Sequence, residues 1–310
     1  MVDGLFERHV WVLWYQGLDR ASEGVRRCIE RWSEANPGWE VTVLSDENLG
    51  HWVSADLLND PRLKWLSPTN FSDLIRLDLL SRCGGVWVDA TCWCVEPLDA
   101  WIDRCIEPSG FFAFSWIDSP SGFFTFHKAE TGGFQINALI SSWFLAAVKG
   151  HVLVDGLYRD LRDYWAKHRF VNDDRRLLRL LLDGLLTRND RVAQWYLSPL
   201  VANVLRVSPY FAFHYCFTRL VTRDRLCRAA WDRTPKISAL EPLLPQVLGL
   251  RSPATGAAVV ALQESTAPVF KLSWRGPFEP GSVFDLVTSA TEAEPTGGDD
   301  QQPPNVVDEG

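Results

Sequence analysis

Asp73, Arg76 and Asp89 are the residues whose types and spacing could do chemistry together. On a helix, side chains three apart share a stripe, so the Asp73 carboxylate and the Arg76 guanidinium would project side by side. Around them Leu74, Ile75, Leu77, Leu79 and Leu80 spread over the whole circumference, which predicts a buried helix over Phe71 to Arg82. Buried charges need a partner or a polar ligand. Two readings are open: Asp73, three after Asn70, caps the helix and simply pairs with Arg76, or the pair faces a charged ligand. Asp89 bears on the choice. It ends the apolar run Val86-Trp87-Val88 directly after Gly84-Gly85, two glycines that permit a tight passage from helix to strand. Alone, Asp89 would read as a turn residue. With Asp73 and Arg76 it forms a set able to bind sugar hydroxyls, a divalent cation or the charge of a departing diphosphate.

The elements that must position this set follow from the same pattern. Val10 to Trp14 reads as a buried strand stopping at Tyr15-Gln16-Gly17, and Val25, Ile29 and Trp32 recur at helical spacing up to Asn36-Pro37-Gly38. Trp39 to Leu44 is a second strand, so the first segments form a βαβ unit with Trp14, Gln16 and Asp46 beyond the strand ends where ligands bind. Further along, Phe111 to Trp116 and Gly122 to Phe126 read as strands joined by a turn at 118–122. Asn137 to Lys149, His151 to His168, Asp173 to Leu186 and Tyr210 to Arg223 read as helices, and Val269 to Trp274 as a last strand. The fold class expected is α/β in the first third with a mainly helical second half.

With 46% hydrophobic and 23% charged residues, the chain can bury a full core, and 1–290 reads as one domain. Residues 291–310, rich in Pro, Gly and acid, read as a disordered tail. A net charge of -8 argues against a nucleic-acid partner. The charged start and the lack of a long apolar run predict a cytosolic protein. Seven cysteines, an odd number, predict reduced thiols, and Cys92 and Cys94 lack zinc-knuckle spacing. The 15 Trp residues fit an enzyme that stacks aromatics on sugars or bases.

The run NFSDLIRLDLLSRCGGVWVDAT, residues 70 to 91, resembles the S-D-x-x-R... G-G-x-x-x-D motif of GT-A glycosyltransferases in the capsular polysaccharide synthesis and glycosyltransferase 32 group. That group is also similar to the catalytic domains of the large glucosylating toxins. VWVLWYQG, NPGWEVTVLSDENL, NALISSWFLAAVKGH, PYFAFHYCF, WDRTPKISA and FKLSWR resemble its segments in the same order, so the likeness spans about residues 9 to 275. The resemblance implies a GT-A-like, Rossmann-like sheet and a retaining transferase that moves a sugar from a nucleotide-diphosphate donor to a glycan or lipid-linked acceptor. Capsular or extracellular polysaccharide synthesis, with peripheral contact at the inner membrane face, is the implied setting.

By the same resemblance, Trp14 stacks on the nucleobase, with Gln16 and Gly85 beside the donor. Asp73 and Arg76 hold the sugar or ribose and the phosphate side, and Asp89 is the first acid of a D-x-D motif binding Mn²⁺ or Mg²⁺. The second acid is replaced by Thr91, a weaker, neutral ligand. Lys271, Ser273 and Trp274 would close over the diphosphate, or else Phe270, Leu272 and Trp274 alternate into a core strand and leave Lys271 in water. His214 reads as a packing residue, and Asp173 and Asp174 as acids at a helix start. Two rival activities remain: a degenerate sugar-nucleotide binder and a nucleotide-sugar hydrolase.

Overall fold

The computed structural model describes residues 6–116, 123–126, 134–137, 139–167, 178, 181–182 and 194–289. It opens with β1 (His9–Leu13), α1 (Glu23–Ala35) and β2 (Glu40–Leu44). β1 and β2 pair in parallel, His9 opposite Glu40 through Leu13 opposite Leu44, so α1 is a βαβ crossover. α2 (Pro68–Arg82) then leads to β3 (Gly85–Asp89), which pairs in parallel with the other edge of β1 and sets Leu13 opposite Asp89. The remaining strands are β4 (Cys92–Cys94), β5 (Phe111–Ser115), β6 (Phe123–Phe126), β7 (Phe134–Asn137), β8 (Ile140–Ala147) and β9 (Val269–Lys271). The main sheet runs β2-β1-β3-β8-β5, with β8 antiparallel to both neighbours.

Strand side chains alternate between faces, and here both faces are covered. Val10, Val12, Val86 and Val88 pack with Val25, Ile29 and Trp32 of α1. Trp11, Leu13 and Trp87 pack with Leu74, Ile75, Leu77 and Leu80 of α2. Asp89, two beyond Trp87, therefore falls on the α2 face. The same face also receives the later helices α3 (Val152–Lys167), α4 (Ala212–Arg223) and α5 (Arg225–Arg233), through Leu157, Leu161, Phe217, Leu220 and Trp231. The arrangement is the expected α/β sheet with helices, the later ones massed on one side.

The Gly84-Gly85 link is a steric necessity. A Cβ on Gly84 (φ 76°) would lie 2.8 Å from the Lys149 backbone nitrogen, and one on Gly85 (φ 91°) 2.5 Å from the His9 carbonyl oxygen. The Trp11 indole donates to the Gly84 carbonyl at 3.0 Å, locking helix exit to sheet.

Three expectations are corrected. The helix expected over Asn137 to Lys149 is β8, preceded by the end of β7. Inserted between β3 and β5 and covered on both faces, β8 is apolar from Trp143 to Ala147 after Ser141 and Ser142, and that apolar run carries no period-two signal to separate it from a buried helix. Asp73 does not cap α2. Ser67 does, its Oγ accepting from the Asn70 N–H at 3.2 Å with Pro68 in the first turn. The last strand stops at Lys271, leaving Ser273 and Trp274 outside it. The turn at 118–122, most of 173–186 with Asp173 and Asp174, and 291–310 lie outside the described residues. The seven cysteines are free thiols. Among the described residues no helix is long and apolar enough to cross a membrane.

Candidate functional site

At the C-terminal end of β3 four charged side chains meet. α2 delivers Asp73 and Arg76 from one stripe, and their Oδ1–Nη1 distance is 3.1 Å. Arg76 Nη2 reaches Asp89 Oδ1 at 3.4 Å and Ser72 Oγ at 3.3 Å, while Nη1 donates to the Ser142 carbonyl of β8 at 2.6 Å. The guanidinium is thus the hub joining helix, strand tip and neighbouring strand. Its carbon lies 5.1 Å from the Trp87 ring centroid and 5.9 Å from that of Phe213 on α4, so aromatic faces shelter it. Its Nε finds no acceptor among the described residues.

Asp89 also accepts from the Trp87 indole, 3.2 Å from Oδ1, and from Lys271 Nζ, 3.1 Å from Oδ2. The lysine comes from β9, which pairs antiparallel with β4 so that Lys271 stands opposite Cys92. Its Nζ donates to Thr91 Oγ1 at 2.6 Å. Arg76 is 5% exposed and Asp73 14%, whereas Asp89 retains 31%, so solvent enters at the Asp89 end.

Electrostatics separate the two carboxylates. Burial pushes Asp73 up to about 6, with the Asp89 charge adding to it and Arg76 opposing. Burial would raise Asp89 as well, but the charges of Lys271 and Arg76 outweigh it and hold its carboxyl below the ordinary carboxylate range. Lys271 is raised despite burial, because Asp89 favours its ammonium. The cluster therefore pairs a firmly ionised carboxylate and two cations with a carboxylate that titrates near neutrality.

The other expected site residues lie at varied distances from this cluster. Trp14 follows β1 at the same edge of the sheet, half-buried, but packs on the α1 face; its indole N–H finds no acceptor among the described residues. Gln16 and Asp46 are exposed. Gly85 serves the close passage under His9. Ser273 Oγ accepts from the Arg275 N–H at 3.2 Å, and Trp274, 58% exposed, lies under the Arg275 guanidinium. Trp274 lines a cleft with Gly24, Arg27, Phe278 and Phe284, away from the charged cluster. A second cleft, around Trp101, Phe114 and Pro268, is also distant from the chemistry. No residue of the charged cluster lines either cleft, and its convergent charges make the cluster the candidate site.

Sequence reasoning missed Trp87, Phe213, Ser72, Ser142 and Tyr15. The alternation that buries Trp87 also puts it on the Asp89 face, a signal that was readable. Tyr15 donates to the Pro68 carbonyl at 3.0 Å, and burial raises its hydroxyl, with Arg76 opposing and Asp46 and Asp73 adding. His214 sits in α4 between Phe211 and Phe213, and burial with the Arg76 charge pushes it down to about 3. It is a neutral packing imidazole beside the guanidinium.

The expected metal ligands are otherwise engaged. Asp89 Oδ2 and Thr91 Oγ1, the pair that would hold Mn²⁺ or Mg²⁺, both hold the Lys271 ammonium. Among the described residues no three His, Cys, Asp or Glu side chains are gathered to hold a metal. As arranged, this donor set does not fit a divalent cation.

Comparison with known proteins adds an independent line. A family model described as capsular polysaccharide synthesis protein matches residues 4–205. Glycosyltransferase afumC of Aspergillus fumigatus (strain CBS 144.89 / FGSC A1163 / CEA10) is 27% identical over 175 residues, 51% of this chain and 40% of the relative. O-glycosyltransferase braB of Annulohypoxylon truncatum is 31% identical over 97 residues, 27% of this chain and 23% of the relative. The matched segments thus span less than half the length of both curated relatives. Among solved structures, PaToxG Glycosyltransferase aligns over 74% of this chain and 76% of its own, with a TM-score of 0.36 and 11% identity.

Proposed function

Because the chain belongs to the capsular polysaccharide synthesis protein family, we propose that it is a retaining glycosyltransferase whose donor site is the Asp73–Arg76–Asp89 cluster. The donor is a nucleotide-diphosphate sugar, with a hexose as the transferred group. The acceptor is a glycan or lipid-linked saccharide of capsular or extracellular polysaccharide synthesis, met in the cytoplasm or at the inner membrane face. The observation that carries this reading is the convergence of Arg76 and Lys271 on Asp89 at the C-terminal edge of a parallel sheet segment, where α/β folds bind ligands. Both curated relatives carry glycosyltransferase names.

In the transfer, the bond between the anomeric carbon and the diphosphate oxygen breaks with its electron pair on the diphosphate. The acceptor oxygen bonds that carbon from the same face, and its proton passes to the departing diphosphate. No separate base is required, in keeping with a His214 whose basicity burial and the Arg76 charge depress. Arg76 and Lys271 offset the leaving-group charge, Asp73 accepts from sugar or ribose hydroxyls, and Asp89 orients both cations. Trp14, at the same edge of the sheet, stacks on the base; Ser273 and Trp274, which flank and line the separate cleft beside Phe278, are left without a role at the diphosphate.

A thermal-shift screen of UDP-, GDP- and CDP-sugars, with and without Mn²⁺, tests the reading, since a ligand of the folded state raises its stability. One sugar nucleotide should raise the melting temperature and be hydrolysed slowly, and Asp89→Ala should abolish the hydrolysis in a folded protein. Binding without turnover would point to a binder. Free sugar released at one rate with or without acceptor would point to a hydrolase. No shift with any of them overturns the proposal.

A further inference from the structure

We infer that Lys271 stands in for the divalent cation: its ammonium, held by Asp89 and Thr91, is the group that meets the donor's diphosphate, so that donor binding needs no metal. The inference rests on the donor-site reading above.

Position is the first support. β9 sets Lys271 opposite Cys92, the residue after Thr91, and the Leu272 N–H donates to the Thr91 carbonyl at 2.8 Å. On the other side the Gln246 amide donates to the Lys271 carbonyl at 2.7 Å. The backbone is thus fixed on both flanks, and the side chain, 17% exposed, has little freedom. Its Nζ lies where two acceptor oxygens converge, 3.1 Å from Asp89 Oδ2 and 2.6 Å from Thr91 Oγ1. An ammonium has three N–H donors. Among the described residues two are used, to Asp89 and Thr91, and the third is left to reach a ligand beside the partly exposed Asp89.

Charge is the second support. The Asp73 and Asp89 carboxylates balance Arg76 and Lys271, so the cluster needs no further cation to be neutral before a donor arrives. A divalent ion on the same two oxygens would sit against the ammonium and be repelled by it. The residue type at Thr91 fits as well. A hydroxyl accepts a hydrogen bond from an ammonium without adding charge, whereas a second carboxylate would leave excess negative charge for a metal to neutralise. The missing acid of the D-x-D pattern and the lysine from a distant strand are then one feature.

The test is calorimetric titration of UDP, GDP and CDP into wild type, Lys271→Gln and Lys271→Arg, each with EDTA and with Mn²⁺. Melting curves without ligand establish folding. At least one diphosphate should bind wild type in EDTA with an affinity within about threefold of that in Mn²⁺. Lys271→Gln should weaken binding in EDTA by about tenfold or more, while Lys271→Arg keeps most of it. Binding that appears only with Mn²⁺, or is unchanged by Lys271→Gln in EDTA, overturns the lysine's role and leaves the donor site standing. Failure of all three diphosphates under both conditions overturns the donor-site reading and this inference with it. Should Lys271→Gln not fold, the wild-type comparison of EDTA with Mn²⁺ decides.

Discussion

Helix α2 carries two buried carboxylates five residues apart, and their surroundings differ in kind. Asp78 is closed off. It accepts from the Ser54 N–H at 3.0 Å, Ser54 Oγ at 2.6 Å, the Tyr158 hydroxyl at 3.1 Å, and Arg82 Nε and Nη2 at 3.1 and 2.7 Å. Five donors to one carboxylate leave nothing for a ligand, and Asp78 is the anchor tying α2 to α3 and to the segment before it. Among the described residues Asp73 has only Arg76 as its charged partner, and Arg76 must also serve Asp89, Ser72 and the Ser142 carbonyl. One end of the helix is electrostatically complete, and the other holds capacity in reserve. A folded chain retains such under-satisfied charge at a cost, and a ligand that completes it is the physical reason to retain it.

The comparison can be broken at either end. The largest effect is expected from Asp78→Ala, which strands buried donors and should lower the unfolding free energy by roughly 3–5 kcal/mol in urea. Next, Arg76→Met should cut turnover by about 10²–10³-fold in a donor-hydrolysis assay, the usual scale for losing a donor to a developing charge.

Asp73→Asn should have the opposite sign on stability. Folding holds Asp73 near 6, above the roughly 4 of an unfolded aspartate. The folded state therefore binds this proton more tightly, and the group's contribution is present below pH ~4 and lost as pH rises through about 6. At pH 7 Asp73→Asn should raise the unfolding free energy by on the order of 2 kcal/mol, with no gain at pH 4, while donor binding weakens. Wild-type donor binding should in turn rise with pH through about 6 as Asp73 ionises, a limb that Asp73→Asn removes. The smallest effect is expected from Trp274→Ala, an exposed ring, whose stability should stay within about 0.5 kcal/mol of wild type by thermal melting.

Much of the comparison's setting was legible in the sequence because it is local. The spacing of Asp73 and Arg76, the burial of α2, the Gly84-Gly85 passage and the delivery of Asp89 at a strand tip follow from periodicity and backbone sterics within some twenty residues. Alternation along β3 even fixes which face Asp89 takes. Failures came where the decisive partner is remote. β8 is a strand because β3 and β5 flank it, which its own apolar run does not record. Lys271 lies 180 residues from Thr91, so a reading of Asp89-Ala90-Thr91 alone points to a metal that the assembled donors do not accommodate. The cap at Ser67 was missed for a simpler reason: Pro68 marks a helix start as clearly as any residue, but the apolar pattern begins later.

The central claim is that the open end of α2 binds the donor and the closed end does not. Calorimetric titration of the sugar nucleotide that stabilises wild type, into folded Arg76→Met and Arg82→Met, tests it most directly. Binding should be lost in the first and stay within about twofold of wild type in the second. Undiminished binding by Arg76→Met would contradict the account.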